Sequence, residues 1–195
     1  MFRGFISVDI GALPELVRFG KELEGIEGLR LVAPEKAHLT LKFLGNVDES
    51  KLEKIEEIME KSVEGVEKFK LRLKGVGAFP NLNRPRVIWI GLESPESLPK
   101  IANYLNENLQ ALGFEKEARA FSPHATIARV KILRDREKLQ ALIRKNRDKE
   151  FGELEISSIK LKKSVLTPKG PEYFTLKEIY FLASNFSKSE GKCMR

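Results

Sequence analysis

Apolar and polar residues alternate from Phe2 to Ile10, with Ile6, Val8 and Ile10 on one face, which is the two-residue period of a half-buried strand. The period then lengthens. Leu16, Val17, Phe19 and Leu23 mark the apolar stripe of a helix that Pro14 opens and Gly25 and Gly28 end. A short strand at Leu29 to Val32 and a longer one from His38 to Phe43 follow, the latter broken by Gly45 and Asn46. Ser50-Lys51-Leu52-Glu53 has the form of a capping box ahead of a helix with Leu52, Ile55, Ile58 and Met59 inward. Phe69, Leu71 and Leu73 alternate with Lys68, Lys70, Arg72 and Lys74, predicting a strand with a basic outer face. After a turn at Phe79-Pro80-Asn81, Val87 to Ile90 predicts a strand covered on both faces.

The second half of the chain repeats these elements. Leu98, Ile101, Leu105, Leu109 and Leu112 predict a helix stopped by Gly113, and a strand follows from Ala120 to Val130. Asp135 starts a helix with Leu139, Leu142 and Ile143 inward; a long strand runs from Leu154 to Val165. A turn at Pro168-Lys169-Gly170-Pro171 leads to a last strand, Tyr173 to Leu182, and the polar stretch 187–195 is expected to fray. Helices at Pro14 and Leu98, histidine strands, helices at Ser50 and Asp135, and strands near Phe69 and Glu155 and near Val87 and Tyr173 all recur at an offset of about 85. Side-chain identity between the halves is slight, so the repeat is one of pattern. A duplicated unit with a pseudo-two-fold axis would bring the two histidine strands face to face. The expected architecture is a single bilobal α+β domain over residues 1–195, with 187–195 as a flexible tail.

The candidate chemistry lies in that repeat. His38-Leu39-Thr40-Leu41 and His124-Ala125-Thr126-Ile127 hold the only two histidines, 86 positions apart. In an extended strand each histidine shares a face with its threonine, so each motif offers an imidazole beside a hydroxyl. Two imidazoles with reference pKa near about 6.5 suit proton transfer, each role worth about 10² to 10⁴ in rate. A lone histidine is ordinarily a core residue, and threonine favours strands in any case; the pairing is what points to a shared site. Arg129 ends the second histidine strand, but its parity puts it on the other face, so a bend or a long reach is needed to bring it in. Phe43 is also off the His38 face, and serves as core or as a stacking surface for a base. Two histidines without a third, a usable cysteine or an acidic residue at ligand spacing make a poor zinc site. No glycine-rich phosphate loop is present.

Composition narrows the setting. With 195 residues, 42% hydrophobic and 32% charged, the chain can bury one substantial core as a soluble protein. No apolar run is long enough to span a bilayer and the first residues run into a strand pattern rather than a secretory signal, so a cytoplasmic location is expected. The single cysteine, Cys193, leaves no intramolecular disulfide. A net charge of +7 favours a polyanionic partner, and Lys42, Arg84, Arg86, Arg119 and Lys131 near the motifs could attract a nucleic-acid backbone. No apolar segment is left unassigned, so a monomer is expected.

At these residues the chain resembles the 2H phosphoesterase superfamily, and within it the RNA 2′,3′-cyclic phosphodiesterases, also called 2′-5′ RNA ligases. The resemblance rests on Arg3-Gly4-Phe5-Ile6-Ser7-Val8-Asp9, His38 to Gly45, Gly77-Ala78-Phe79-Pro80, Ser122 to Arg129 and Gly170-Pro171-Glu172-Tyr173. It implies two antiparallel sheets backed by helices around a cleft that holds both motifs. It also implies RNA ends bearing a 2′,3′-cyclic phosphate as substrate, tRNA halves among them, opened to a 2′-phosphate without ATP, metal or other cofactor. On that resemblance His38 and His124 are acid and base, Thr40 and Thr126 phosphate donors, Arg129 a further phosphate contact and Phe43 a nucleobase neighbour. His38 is assigned as acid and His124 as base; run backwards, the site would join such an end to a 5′-hydroxyl. Two other readings stay open: a phosphodiesterase of a small cyclic nucleotide or of an ADP-ribose cyclic phosphate, and a non-catalytic RNA-binding module.

Overall fold

Along the first strand, Ile6 and Val8 are buried on one face while Phe5, Ser7 and Asp9 stand on the other, as the two-residue period requires. The computed structural model describes residues 1–168 and 170–183; the stretch 187–195, Cys193 included, lies outside the described residues. The strands are β1 (Phe2–Asp9), β2 (Leu29–Leu31), β3 (His38–Val47), β4 (Phe69–Phe79), β5 (Val87–Glu93), β6 (His124–Val130), β7 (Glu150–Ile156), β8 (Ser158–Thr167) and β9 (Gly170–Tyr180). The helices are α1 (Pro14–Glu24), α2 (Leu52–Ser62), α3 (Ser97–Asn108) and α4 (Arg136–Lys145). None of the described helices is long and apolar enough to cross a membrane.

The α+β expectation holds, and the two antiparallel sheets are two halves of one curled surface. One lobe has the order β3-β1-β8-β9 and the other β6-β5-β4-β7; β3 and β6 join them through a single pair, Leu39 with Ala125. Those two residues occupy equivalent places in the repeat, so the junction lies on the pseudo-two-fold axis, where an element must meet its own counterpart. From there β3 and β6 diverge, and β2 takes up the rest of the free edge of β6.

Each lobe draws on both halves of the chain. β4 leaves the first half to pair with β5 and β7, and the β8–β9 pair leaves the second half to join β1 through β8. The helices exchange likewise: α1 and α4 back the His124 lobe, with Phe19 of α1 edge-on to Phe151 of β7 at 5.3 Å, while α2 and α3 pack together behind β3 and β9. Neither half of the chain can therefore close a lobe alone. The strand that corresponds to β5 is β1, with Phe2 to Val87 as the offset, and not the later strand at Tyr173.

Several sequence-based boundaries move. The strand expected from Leu154 to Val165 is two strands that part at Ser157, since β7 pairs with β4 and β8 with β1. The strand expected from Ala120 begins at His124. Gly45 does not end β3: its φ of 67° lets the strand bulge beside Gly4 and continue to Val47. The capping box at Ser50 is not formed. Asp48 caps instead, its Oδ1 accepting from the Ser50 N–H at 3.0 Å ahead of a short 3₁₀ turn at residues 49–51. The basic outer face of β4 is zipped to acids on its neighbours, Lys70 to Glu153 at 2.7 Å and Lys74 to Glu93 at 3.5 Å.

Candidate active site

The convex face of the sheet is covered by helices; the concave face carries both motifs. His38 stands opposite Asp9 and Thr40 opposite Ser7, while His124 stands opposite Gly91 and Thr126 opposite Trp89. Directly paired strand residues share a face, so each motif's imidazole and hydroxyl point into the concave side. Besides the bulge at Gly45, the alternation fails at one matching place in each histidine strand. Leu41 has no partner between the pairs Ser7–Thr40 and Ile6–Lys42, and Ile127 has none between Trp89–Thr126 and Ile88–Ala128. These are matching β-bulges, and each shifts the residues beyond it to the opposite face. Phe43 and Arg129, off the motif face by simple parity, are thereby turned onto it. Lys42 is turned away: it is 1% exposed and its ammonium donates to Asn106 Oδ1 at 2.7 Å and to the Glu115 carbonyl at 2.5 Å. It is thus corrected from an RNA-attracting cation to a buried tie between β3 and the segment after α3.

The two imidazoles are held the same way. Nδ1 of His38 donates to the Lys36 carbonyl at 2.9 Å, and Nδ1 of His124 to the Ser122 carbonyl at 2.7 Å. A carbonyl only accepts, so Nδ1 carries the proton and Nε2 is left to take up or give one. Aromatic rings fix the planes. His38 packs 5.0 Å from Phe5 and 5.1 Å from Tyr173; His124 packs 5.0 Å from Phe79 and 6.4 Å from Trp89. Gly77 makes room for the Trp89 ring, since a Cβ there would lie 2.1 Å from it. Among the described residues the buried side-chain groups without a protein partner are Ser7 Oγ and Trp89 Nε1, the cross-strand neighbours of the two motif threonines.

A family model described as LigT like Phosphoesterase matches residues 9–89 and, a second time, residues 90–173. The chain belongs to the LigT-like phosphoesterases of the 2H superfamily. The double match divides the chain where the repeat does. Two RNA 2′,3′-cyclic phosphodiesterases are similar to it over nearly their whole length. One, from Archaeoglobus fulgidus, is 42% identical across 90% of this chain and 98% of its own; the other, from Methanocaldococcus jannaschii, is 43% identical across 90% and 99%. A Thermus thermophilus protein of solved structure has a TM-score of 0.77 at 28% identity, covering 93% of this chain and 99% of that one. Escherichia coli LigT complexed with 3′-AMP shares the fold, with a TM-score of 0.73 at 23% identity over 92% and 98% of the two chains.

Within this LigT-like phosphoesterase, burial and four neighbouring groups act on His38. Burial lowers the pKa of His38 below the ordinary histidine value; the Lys36 carbonyl and Asp9 pull it up, while Lys162 and Arg129 push it down. Arg129 belongs to the His124 strand, and its charge acts to lower the pKa of both His38 and Tyr173 in the other lobe. Asp9 anchors the other side. Burial opposes its ionisation, but hydrogen bonds and charge from Lys162 and Lys160 outweigh that and hold its carboxyl below the usual range.

All six site residues expected from sequence lie in or beside the trough: His38, Thr40 and Phe43 from one lobe and His124, Thr126 and Arg129 from the other. Phe43 is 62% exposed. The residues missed are Phe5, Phe79, Trp89 and Tyr173, which set the rings, and Asp9 with Lys162, which sets the charge beside His38. A usable sign was present for Phe5 and Asp9, which alternate with the buried Ile6 and Val8 and so belong to the motif face. Among the described residues, no three His, Cys, Asp or Glu side chains converge as metal ligands would.

Proposed function

We propose that this phosphoesterase opens the 2′,3′-cyclic phosphate at an RNA end to a 2′-phosphate and a 3′-hydroxyl. The observation that carries the reading is the matched pair of imidazoles, each with Nδ1 tied to a backbone carbonyl two residues before it and Nε2 left for chemistry. The activity named for the relatives from Archaeoglobus fulgidus and Methanocaldococcus jannaschii supports the substrate class.

In the proposed step a water oxygen forms the new P–O bond and passes its proton to one Nε2. The P–O3′ bond breaks, and the other imidazole gives its Nε2 proton to O3′. Base and acid must stand on opposite sides of phosphorus for in-line displacement, which two motifs related by a pseudo-two-fold axis supply. Burial favours the neutral form of His38, so we assign His38 to take the proton from water, which leaves delivery of a proton to O3′ to His124. This exchanges the roles assigned from sequence. Thr40, Thr126 and Arg129 donate to the non-bridging oxygens, where negative charge grows in the transition state. Phe43 offers its exposed ring to the terminal base. With a 5′-hydroxyl of a second strand in place of water, the same step would form a P–O5′ bond, break P–O3′ and leave a 2′-5′ linkage with a free 3′-hydroxyl.

The test is a short RNA ending in a 2′,3′-cyclic phosphate, incubated in EDTA with the wild type, His38→Ala and His124→Ala. The expected result is a 2′-phosphate product from the wild type and a loss of about 10² to 10⁴ in kcat for each variant. A 3′-phosphate product, a requirement for added metal, or undiminished turnover by either variant contradicts the proposal.

A further inference from the structure

Arg30 of β2 is the direct cross-strand partner of Arg129, with Leu29 opposite Val130 and Leu31 opposite Ala128. Leu29 and Leu31 are partly buried against the core and Ala128 is fully buried, so Arg30 stands with Arg129 on the concave face. Two guanidiniums in this relation have Cβ atoms roughly 4.5–5.5 Å apart, and like charges so placed repel. Arginine cannot relieve this by losing its proton. Among the described residues no carboxylate lies within 4.0 Å of either guanidinium, although sixteen other ion pairs link this chain's charges. The Arg30 guanidinium also lies close to a second element. It rests on the turn between β8 and β9, where a Cβ at Gly170 would lie 2.5 Å from Arg30 Nη2, three residues before the Tyr173 that packs on His38. Lys36, next along that rim, donates to the Pro171 carbonyl at 3.3 Å.

A repelling pair without a protein counter-ion beside a phosphate-handling site is suited to two anions rather than one. We propose that Arg30 binds the phosphodiester that precedes the terminal nucleotide, while Arg129 serves the cyclic phosphate itself. The inference rests on the function proposed above and sharpens its substrate class: the site distinguishes the end of a chain from a cyclic mononucleotide. A nucleoside 2′,3′-cyclic phosphate has no phosphate to give Arg30; a dinucleotide ending in the cyclic phosphate does.

The test measures kcat/KM for adenosine 2′,3′-cyclic phosphate, for the same compound carrying a 5′-phosphate, and for the adenylyl-adenosine dinucleotide ending in a 2′,3′-cyclic phosphate. The wild type is expected to prefer both 5′-phosphorylated substrates at least tenfold over the plain mononucleotide. Arg30→Ala should bring that ratio to within about twofold of unity, and Arg30→Lys should restore part of it. A ratio unchanged in Arg30→Ala, or a wild type with no preference, overturns the inference while leaving the phosphodiesterase reading standing. Absence of turnover on all three substrates by the folded wild type instead overturns that reading. Should Arg30→Ala fail to fold, the wild type decides by salt dependence. The preference should shrink between 50 and 200 mM salt if an ion pair carries it, and a salt-independent preference overturns the inference.

Discussion

Phe43 and Arg129 occupy the same place in the two lobes, each two residues beyond the unpaired residue of a bulge and each turned by it onto the face of its histidine. The duplication has kept the backbone device and changed the side chain it presents. One arm of the trough offers an exposed aromatic ring, the other a guanidinium with no acidic partner within 4.0 Å among the described residues. A nucleotide end is itself asymmetric, with a base on one side and phosphate oxygens on the other. A symmetric pair of acid–base groups flanked by unlike arms therefore fixes which way such an end lies.

Arg129 acts on the proposed reaction in two ways, and Arg129→Ala separates them. Loss of the phosphate contact should lower kcat by about 10² to 10³. Loss of a cation that pushes the His38 pKa down should also let that pKa rise, so the acid limb of the pH–rate profile moves to higher pH. A profile from pH 4 to 9 under chemistry-limited conditions checks both; an acid limb displaced downward would contradict the electrostatic account.

Gly77→Ala should disturb the His124 lobe through Trp89. The added Cβ meets the indole ring at 2.1 Å, so the ring must shift and with it the wall against which His124 and Phe79 pack. We expect a stability loss of about 1–3 kcal/mol by denaturant titration. Because Trp89 is the chain's single tryptophan, its fluorescence should report the displacement directly. A variant with wild-type emission and wild-type kcat would show that the glycine is not needed for this packing.

Asp9→Asn removes the counter-ion of Lys162, which is only 9% exposed, and of Lys160. Asp9 is itself partly exposed, so solvent moderates the loss to about 1–2 kcal/mol near pH 7. The sign with pH follows from the lowered carboxyl pKa. The stabilisation is complete above the unfolded carboxylate value of about 3.9 and fades as pH falls through the lower folded value, so the gap between the two proteins should close in acid. Urea midpoints at pH 7, 4 and 2.5 test this; a gap that widens on acidification would contradict it.

The period of the hydrophobic pattern revealed the helices, most strands and the repeat, because each depends on which face of a local element is buried. What it hid was non-local. The alternation changes phase at Ser157-Ser158, from Leu154 and Ile156 to Ile159 and Leu161, which marks where the chain passes from one lobe to the other, but the choice between β4 and β1 as partner is not written in the strand itself. Parity excluded Arg129 and Phe43 only because a regular strand was assumed. The adjacent apolar pair Ile127-Ala128 was a visible sign of the bulge, but its counterpart was masked by Lys42, a charged residue in a buried position. Both motifs were legible because imidazole and hydroxyl sit on one strand. The rings that orient them come from β1, β4, β5 and β9, and no local pattern joins those.

The measurement closest to the central claim, that two matched imidazoles act as separate base and acid, changes the leaving group. An RNA end whose cyclic phosphate carries sulfur in place of O3′ expels a thiolate, which needs no proton from an acid. His124→Ala should recover most of its lost rate on this substrate, and His38→Ala should stay as impaired as on the oxygen substrate. Recovery by His38→Ala instead would exchange the two roles, and recovery by neither would contradict acid–base catalysis by the pair.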